Sequence, residues 1–282
     1  MIFVLIPILN RKELTLACLA SFAKQTYKEH AVVIIDDGST DGSGEAIKQA
    51  HPSTVIIRGD GTWWWTKSMN EGLRSVLPKT KQGDFVLFMN NDVELGSDYL
   101  EKLIDASVSH GRALVGSLVR NFYDARVQDA GIHADWNRFA FVKANFDEKK
   151  RFNENVDALA GRGMLIPVEV FQKTGLLSEK TLPHYAADYD FSMRAKRQGF
   201  TILMSYEAIV LSKDKKGDKQ RAFWQEHFSR RSSSNIPMKM MLALLDAPTS
   251  YLKCKGVAIT LGRFMRDFFV YPVRKLRRLH RK

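Results

Sequence analysis

The chain has 282 residues, of which 45% are hydrophobic and 26% are charged, and this balance excludes a mainly disordered protein. Its formal charge of +12 is concentrated at one end: residues 213–282 hold 18 of the 43 lysines and arginines but 5 of the 31 acidic residues. The rest of the chain is close to neutral. We therefore expect an α/β domain over residues 1–235, with halves 1–119 and 120–235, and a basic helical region over 236–282.

The cysteines and the apolar segments limit where the protein is expected to work. Cys18 and Cys254 are too few for a disulfide framework or a four-ligand zinc site, so reduced thiols are expected. The first residues form an apolar strand without a basic leader or a cleavage site, and no apolar run approaches the roughly 18–20 residues that cross a bilayer. These features predict a cytoplasmic protein without a spanning helix.

Residues 1–119 alternate between continuous apolar runs and segments with helical spacing. The apolar runs predict strands at Met1–Ile8, Ala31–Ile35, Thr54–Ile57, Phe85–Met89 and Ala113–Val119. The segments between them predict helices at Lys12–Lys24, Asp41–Gln49, Lys67–Val76 and Ser97–Ser109. Such alternation is typical of a mostly parallel sheet with helices on both faces, whose ligands bind beyond the carboxyl ends of the strands.

Polar residues follow three of these strands. Pro7–Asn10 ends the first strand, Asp36–Gly42 follows the second and Asn90–Asp92 follows the fourth. A turn that caps the next helix explains part of the second segment. Amide and carboxylate oxygens in the third suit Mg²⁺ or Mn²⁺ bound together with substrate phosphates. The absence of a P-loop and of a Gly-x-Gly-x-x-Gly fingerprint disfavours nucleotide hydrolysis and dinucleotide redox chemistry.

Five segments in this order resemble family 2 glycosyltransferases of the inverting GT-A type. They are Pro7–Asn10, Asp36–Asp41, Gly59–Gly72, Asn90–Asp92 and Asp188–Arg194. The resemblance covers residues 1–235. Within it, the third segment is also similar to a subgroup that includes rhamnosyltransferases of bacterial surface polysaccharide synthesis.

On the donor side, the resemblance implies a sugar linked to a nucleoside diphosphate. Asp36 matches a carboxylate that can accept the N3–H of uracil or thymine, and Gly38 permits close approach of the backbone. Asn90 and Asp92 match the metal motif and would hold Mg²⁺ or Mn²⁺, with Asn90 in place of the first carboxylate. The expected donor-binding set is Pro7, Asn10, Asp36, Gly38, Gly61, Asn91 and Asp92.

On the acceptor side, the resemblance implies a catalytic base at the start of a helix. Asp188 matches the base position, while Ala187 replaces the motif's glutamate. A helix N-terminus alone would also favour an aspartate there. The glycine-containing segment Asp157–Ile166 resembles one near the reacting sugar, although a turn into a buried strand would explain it as well. Ser212-Lys213 stands where many relatives carry a metal-site histidine.

Several other segments are candidates for the same site. The run Trp63–Trp65 could stack on the donor, with at least one ring in the core. Lys67 and Arg230-Arg231 are candidates for phosphate contacts. The loop Lys213–Arg221 is expected to close over the donor.

The sequence of the C-terminal region predicts a different kind of interaction. Leu261, Phe264, Met265, Phe268 and Phe269 recur at spacings of three and four, with Arg263 and Arg266 beside them, and residues 274–282 are rich in Arg and Lys. We expect Pro272 to interrupt this helix. A basic amphipathic helix fits an anionic membrane surface, here through residues 256–282, although packing on the catalytic domain or another subunit is an alternative. Nucleic acid is not expected, because it would not explain the Phe-rich stripe.

Together these features predict an inverting glycosyltransferase, peripheral on the inner face of the cell membrane. It would move a sugar from a dTDP- or UDP-sugar to a glycan or lipid-linked glycan. One alternative is a sugar-phosphate nucleotidyltransferase, which typically carries a glycine-rich basic loop that is absent between Met1 and Leu14. The other is a membrane-surface binding protein with a degenerate transferase domain.

Overall fold

The computed structural model describes the backbone of residues 1–214, 222–230 and 232–279, and the side chains of these ranges up to residue 271. In these ranges the α-helices are α1 Lys12–Ala23, α2 Ser43–Ala50, α3 Trp64–Val76, α4 Tyr99–Ser109, α5 Val168–Thr174, α6 Ala187–Arg197, α7 Phe223–Phe228, α8 Ile236–Asp246 and α9 Ser250–Leu279. A 3₁₀ turn, Leu77–Lys79, follows α3.

Most of the strands join one large twisted sheet. The strands are β1 Ile2–Ile8, β2 His30–Asp36, β3 Val55–Arg58, β4 Phe85–Phe88, β5 Val93–Leu95, β6 Leu114–Asn121, β7 Val127–Asp129, β8 Ile132–Asp135, β9 Ala140–Lys143, β10 Phe152–Asn153, β11 Met164–Pro167 and β12 Ile202–Ser212. Their order is β10-β12-β6-β11-β4-β1-β2-β3, with β5 on β12 and β7 on β6, while β8 and β9 form a separate hairpin.

The sheet is parallel where the sequence predicts it to be. Strands β4, β1, β2 and β3 pair in parallel, as do β6 and β12. The exception at the centre is β11, which runs antiparallel between β4 and β6. The five strands and four helices predicted for residues 1–119 all form within a few residues of their predicted bounds, as β1–β4, β6 and α1–α4, while the short β5 was not predicted.

Side chains of β1 alternate between two hydrophobic clusters, one on each face of the sheet. Phe3 and Leu5 belong to the cluster that residues of α3, α5 and α6 complete. Ile2 and Val4 belong to the opposite cluster, which residues of α1, α2 and α4 complete. The expected mostly parallel sheet with helices on both faces is therefore confirmed. Cys18 is buried in the second cluster, and burial raises the pKa of its thiol to about 12.

The C-terminal helices pack on the α/β core. Met238 and Leu242 of α8 belong to the same cluster as α6, and Arg197 Nη2 lies 2.7 Å from Asp246 Oδ1. The expected boundary at residue 235 falls just before α8. In turn, α9 packs along α8, where Gly256 lies against Ala243.

The expectation that Pro272 interrupts the last helix is wrong, because α9 continues through it to Leu279. A proline removes one backbone hydrogen bond and bends a helix, but the turns on either side can still form. None of the helices described is long and apolar enough to cross a membrane.

Candidate active site

The site lies at the carboxyl edge of β1, β2 and β4, and Pro7 helps to define where this edge opens. The pairing of β1 with β4 ends at Leu5, while its pairing with β2 continues to Ile8. Residues two apart on a strand face the same neighbour, so the position of Pro7 faces β4 beyond the last pair. The missing N–H of Pro7 therefore costs no ladder hydrogen bond.

Asn10 joins the loop after β1 to the loop after β2. Its Oδ1 accepts a hydrogen bond of 2.8 Å from Thr40 N, and its backbone N–H donates to Ser39 Oγ at 2.9 Å. The backbone of Asn10 has a φ of 52°, a left-handed conformation that asparagine tolerates better than most residues. Asn10 therefore holds the two loops that border the expected donor site.

Asp36 ends β2 and is 1% exposed. Its Oδ1 accepts from Ser39 N at 2.8 Å, whereas its Oδ2 is buried and has no partner among the residues described. A buried carboxylate oxygen without a donor is costly, so it marks a place where a ligand N–H would bind favourably.

The next carboxylate, Asp37, organises the loop that leads into α3. Its oxygens accept from the backbone N–H groups of Gly61, Trp63 and Trp64 at 2.9, 2.9 and 3.3 Å. Gly38 has a φ of 80°, and a Cβ there would lie 2.9 Å from Gly61 N. The two expected glycines thus meet at the contact between the β2 and β3 loops, where a larger residue does not fit.

The three tryptophans have different surroundings. Trp65 packs edge-on against Phe88, with ring centroids 6.2 Å apart, and belongs to the core surface. The ring of Trp63 lies 5.2 Å from Lys67 Nζ. The ammonium group of Lys67, which is a candidate for a phosphate contact, therefore makes a cation–π contact with Trp63.

Trp64 faces residues from later parts of the chain. Its ring lies 5.7 Å from that of His184 and 5.9 Å from Arg230 Cζ. Arg230 therefore lies near the predicted donor loop, while Arg231 and most of the expected covering loop, residues 215–221, lie outside the described residues.

The Asn90–Asp92 motif follows β4, and its side chains make contacts of two kinds. Asn91 is buried and donates to Thr15 Oγ1 at 2.9 Å, which fixes the motif to α1. Asp92 Oδ2 lies 3.1 Å from Arg11 Nη1, while Asp92 Oδ1 is buried and has no partner among the described residues.

The residues that replace the expected histidine close the site next to Asp92. Lys213 N donates to the carbonyl oxygen of Asp92 at 2.7 Å. Ser212 Oγ accepts from Arg162 Nη1 at 2.7 Å, and Arg162 Nη2 lies 3.7 Å from Asp214 Oδ2. Arg162 thus brings a second guanidinium to this edge.

Asp188 lies in the first turn of α6, next to the glycine segment. Its Oδ2 accepts from Gly161 N at 2.7 Å and its Oδ1 from Tyr189 N at 3.0 Å. Burial raises the pKa of Asp188 to about 6, although these hydrogen bonds oppose the rise, and the charge of Asp129 adds to it. A carboxylate of this pKa can exchange a proton near neutral pH.

Gly161 lies between Trp65 of α3 and Asp188 of α6, where a side chain does not fit. A Cβ at Gly161 would lie 2.6 Å from Trp65 Cζ2 and 3.5 Å from Asp188 Cβ. The predicted base, the glycine segment and the tryptophan run are therefore in direct contact, although more than 90 residues separate Trp65 from Gly161 in the chain.

Asp190, the second acidic residue of the Asp188–Arg194 segment, makes contacts that stabilise the fold. It is buried, accepts from Ser178 Oγ at 2.8 Å and pairs with Arg194 Nη2 at 3.0 Å. Arg194 also donates to the carbonyl oxygens of Thr174 and Leu176. The Asp190–Arg194 pair thus fixes the segment between α5 and α6.

The residues at this edge fit a divalent metal ion whose remaining ligands come from a bound substrate and from water. The described residues contain no group of three or more His, Cys, Asp or Glu side chains that could hold a metal. However, the buried and unpartnered oxygen of Asp92 is suited to a cation, and Asn90 offers an amide oxygen two residues earlier. Mg²⁺ is commonly held by one or two carboxylates, with phosphate oxygens and waters completing its shell.

Sequence reasoning did not find Arg11 and Arg162, nor the role of Asp37 in holding a loop. Arg11 meets Asp92 across 81 positions and Arg162 meets Ser212 across 50. A signal was present for Asp37, since a second carboxylate directly after a strand is unusual in a simple turn.

Comparison with known proteins agrees with this fold. The model of the family "Glycosyl transferase family 2" matches residues 3–175. Among solved structures, GalNAc-T7 with UDP, GalNAc and Mn²⁺ superposes with a TM-score of 0.68 at 16% identity, over 90% of this chain and 50% of that one. The Pyrobaculum calidifontis mannosyltransferase PcManGT, in complex with GDP-Man and Mn²⁺, superposes with a TM-score of 0.60 at 14% identity, over 94% and 74%. The expected GT-A fold is confirmed.

Curated relatives share more sequence with this chain than these solved structures do. Glycosyltransferase GlyA of Streptococcus pneumoniae is 30% identical over 43% of this chain and 17% of its own length. A poly(ribitol-phosphate) β-glucosyltransferase of Bacillus spizizenii is 22% identical over 85% of this chain and 42% of its own. An N-acetylglucosaminyl-diphospho-decaprenol L-rhamnosyltransferase of Mycobacterium tuberculosis is 25% identical over 68% and 69%. The chain thus spans less than half the length of the first two.

Proposed function

This chain belongs to glycosyl transferase family 2, and we propose that it is an inverting, metal-dependent transferase of surface polysaccharide synthesis. Its donor would be a dTDP- or UDP-sugar and its acceptor a glycan or lipid-linked glycan. The observation that carries the proposal is a pair of buried carboxylate oxygens without partners among the described residues, Asp36 Oδ2 and Asp92 Oδ1, at the carboxyl ends of β2 and β4 on either side of β1.

The donor would lie across this edge with its base towards Asp36 and its diphosphate towards Asp92. Asp36 Oδ2 would accept the N3–H of uracil or thymine, which removes the cost of leaving that oxygen unpaired. Gly38 and Gly61 let the two loops meet without side chains between them, and Asn10 holds the loops in place. Pro7 ends the ladder so that the edge stays open.

Asp92 and Asn90 would hold Mg²⁺ or Mn²⁺ beside the diphosphate. When bound, the ion offsets the charge that develops on the departing nucleoside diphosphate. Arg162 and Arg230 are placed to add positive charge at the same edge.

Asp188 would act as the base in a single displacement. The acceptor hydroxyl oxygen forms a bond to the anomeric carbon as the bond from that carbon to the diphosphate oxygen breaks. Asp188 takes the hydroxyl proton, and the leaving diphosphate keeps the bonding electron pair. Attack from the face opposite the leaving group inverts the configuration, and no covalent enzyme intermediate is needed.

We also place the protein at an anionic membrane surface, through residues 256–282. The apolar α7–α9 surface, defined by six exposed side chains, supports this placement: Trp224, Phe228, Leu261, Met265, Phe268 and Phe269. Trp224 is 60% exposed and Phe269 is 67% exposed. Large exposed apolar patches beside basic segments are typical of helices that lie on membranes.

A donor screen tests the proposed reaction. Thermal unfolding is measured with nucleotide sugars carrying uracil, thymine, guanine or adenine, each with and without Mn²⁺. Stabilisation that requires Mn²⁺ and a uracil or thymine base is expected, and it should disappear in Asp36→Asn. Transfer of the sugar to an acceptor, with release of the nucleoside diphosphate, distinguishes this function from both alternatives. Pyrophosphate release would instead indicate a nucleotidyltransferase.

A further inference from the structure

One arginine faces the carboxylate proposed to hold the metal ion. Arg11 Nη1 lies 3.1 Å from Asp92 Oδ2, at the start of α1 and beyond the end of β4. The Asp92 side chain is 7% exposed, whereas that of Arg11 is 50% exposed. The carboxylate is therefore fixed within the protein, while the guanidinium has open space on one side.

The backbone of Arg11 is held firmly, so only its side chain is free to turn. Its carbonyl oxygen accepts from Thr15 N at 3.0 Å and from Thr15 Oγ1 at 2.8 Å. The preceding Asn10 is tied to the β2 loop by its hydrogen bonds with Ser39 and Thr40. Arg11 therefore carries a long cationic side chain on a fixed backbone. It lies at the edge where the diphosphate is proposed to bind, so its guanidinium can reach more than one anion.

The charges around Asp92 do not favour binding of a divalent cation when no donor is bound. Asn90 is neutral, and Lys213 is neutralised by Glu94 at 2.9 Å. One carboxylate would face both the metal ion and the Arg11 guanidinium, and the two cations repel each other. The donor diphosphate brings the negative charge that removes this conflict, because a guanidinium binds phosphate oxygens in a bidentate manner.

We propose that Arg11 makes metal binding conditional on the donor. Before the donor binds, the Arg11 guanidinium pairs with Asp92. The diphosphate then draws the guanidinium away and frees the carboxylate, so that metal ion and nucleoside diphosphate bind cooperatively. This inference rests on the proposed function. It adds a positioning residue that couples the two ligands, and the coupling must act equally in both directions.

The test measures Mn²⁺ binding to the full chain by electron paramagnetic resonance, without nucleotide and with UDP or dTDP, after correction for Mn²⁺ bound to free nucleotide. In the wild type, nucleoside diphosphate should tighten Mn²⁺ binding at least tenfold. In Arg11→Ala, Mn²⁺ without nucleotide should bind about tenfold more tightly than in the wild type, and the nucleotide effect should shrink. Arg11→Gln should behave in the same way and serves if the alanine variant folds poorly.

The matched control is Arg74→Ala, which removes a half-exposed arginine that pairs with Glu71 at 2.6 Å near the C-terminal end of α3, the end that leads back to the start of β4. It should bind Mn²⁺ as the wild type does. If both Arg11 variants bind Mn²⁺ without nucleotide no more tightly than the wild type, the coupling is overturned while the proposed function stands. If the wild type binds no Mn²⁺ with either nucleotide, metal dependence in the proposed function fails, and the coupling fails with it.

Discussion

Asp188 combines two properties that a general base needs. It lies at a helix start in contact with the glycine segment, and burial raises its pKa to about 6. The deprotonated form is the one that accepts a proton, so activity should rise with pH up to about 6 and level off above it. Below that pH, kcat/KM should fall about tenfold per pH unit.

Asp188→Asn should separate catalysis from folding. Transfer should fall by about 100-fold or more, while donor binding stays close to that of the wild type. Because the native pKa of Asp188 lies above its unfolded value, the contribution of this carboxyl to stability falls as pH rises from about 4 to about 6, and the variant lacks this fall. Thermal unfolding and kcat/KM measured across this range test both statements.

Asp190→Asn is the matched control, two residues along the same helix. It weakens the buried pair with Arg194, so it should lower the free energy of unfolding by about 2 kcal/mol. Retention of full transfer by Asp188→Asn would exclude Asp188 as the base. A loss of stability equal to that of Asp190→Asn would instead assign it a structural role.

Single residues were predictable where a local pattern carries their chemistry. Asp36, Asp92 and Asp188 could be named as candidates because each lies at the end of a strand, in the loop after one, or in the first turn of a helix. Arg11 could not be found in this way, because its pairing with Asp92 depends on how α1 and the β4 loop meet. Asn91 fits the motif by position, yet its side chain turns towards Thr15, which only the packing of α1 decides.

At the scale of elements, the loop between β3 and α3 is held from outside by one carboxylate. Asp37 accepts three backbone N–H groups of that loop and so acts as a distant cap for α3. Trp64, the first residue of α3, has a φ of 59°, which is unfavourable for a tryptophan. The hydrogen bonds of Asp37 offset this strain and keep the loop in its observed form.

Asp37→Ala should therefore loosen the loop while the sheet remains intact. Amide hydrogen exchange of Gly61, Trp63 and Trp64 should become roughly 30-fold faster, because their acceptor is lost at a cost of about 2 kcal/mol. The matched control is Asp60→Ala in the same loop, whose carboxylate accepts from Thr62 alone among the residues described. Unchanged exchange in Asp37→Ala would show that other contacts hold the loop.

The elements themselves differ in how far the sequence determines them. Apolar runs such as Ile2–Ile8 predict buried parallel strands, because both faces are covered. The run Met164–Pro167 is just as apolar, yet it lies antiparallel between β4 and β6, and strand direction is set by distant partners. The hairpin of β8 and β9 lies outside the large sheet, so sheet alternation gives no signal for it.

At the scale of the whole molecule, positive charge and exposed apolar surface meet at the C-terminal end. In the described part of α9, Arg263 donates to the carbonyl oxygens of Arg138 and Phe139, and Arg266 pairs with Asp267 at 3.0 Å. These arginines are engaged within the protein. The charge available to a membrane is therefore expected mainly from residues 274–282, which follow the apolar residues of α9 in the sequence.

A truncation at residue 271 tests this division of roles. Removing residues 272–282 deletes six lysines and arginines and no acidic residue, which halves the formal charge of +12. Binding to anionic vesicles should weaken by up to about 1 kcal/mol per basic residue removed, while binding to neutral vesicles, measured by co-sedimentation, should change little. A cut at residue 256 would be a poorer test, because Gly256 and Arg263 pack on Phe139 and their loss would destabilise the fold.

The apolar contribution is measured separately with Trp224→Ser and Phe269→Ser in the full chain, since both side chains are exposed and their loss leaves no cavity in the core. Each should weaken vesicle binding, because less apolar surface would enter the bilayer interface. The matched control is Tyr251→Ser, equally exposed but 18 residues from Phe269 on α9, about 27 Å along the helix axis. If the truncation and both serine variants bind anionic vesicles as the wild type does, the membrane is not the partner of this end of the molecule. Its exposed surface would then require a protein partner or a second copy of the chain.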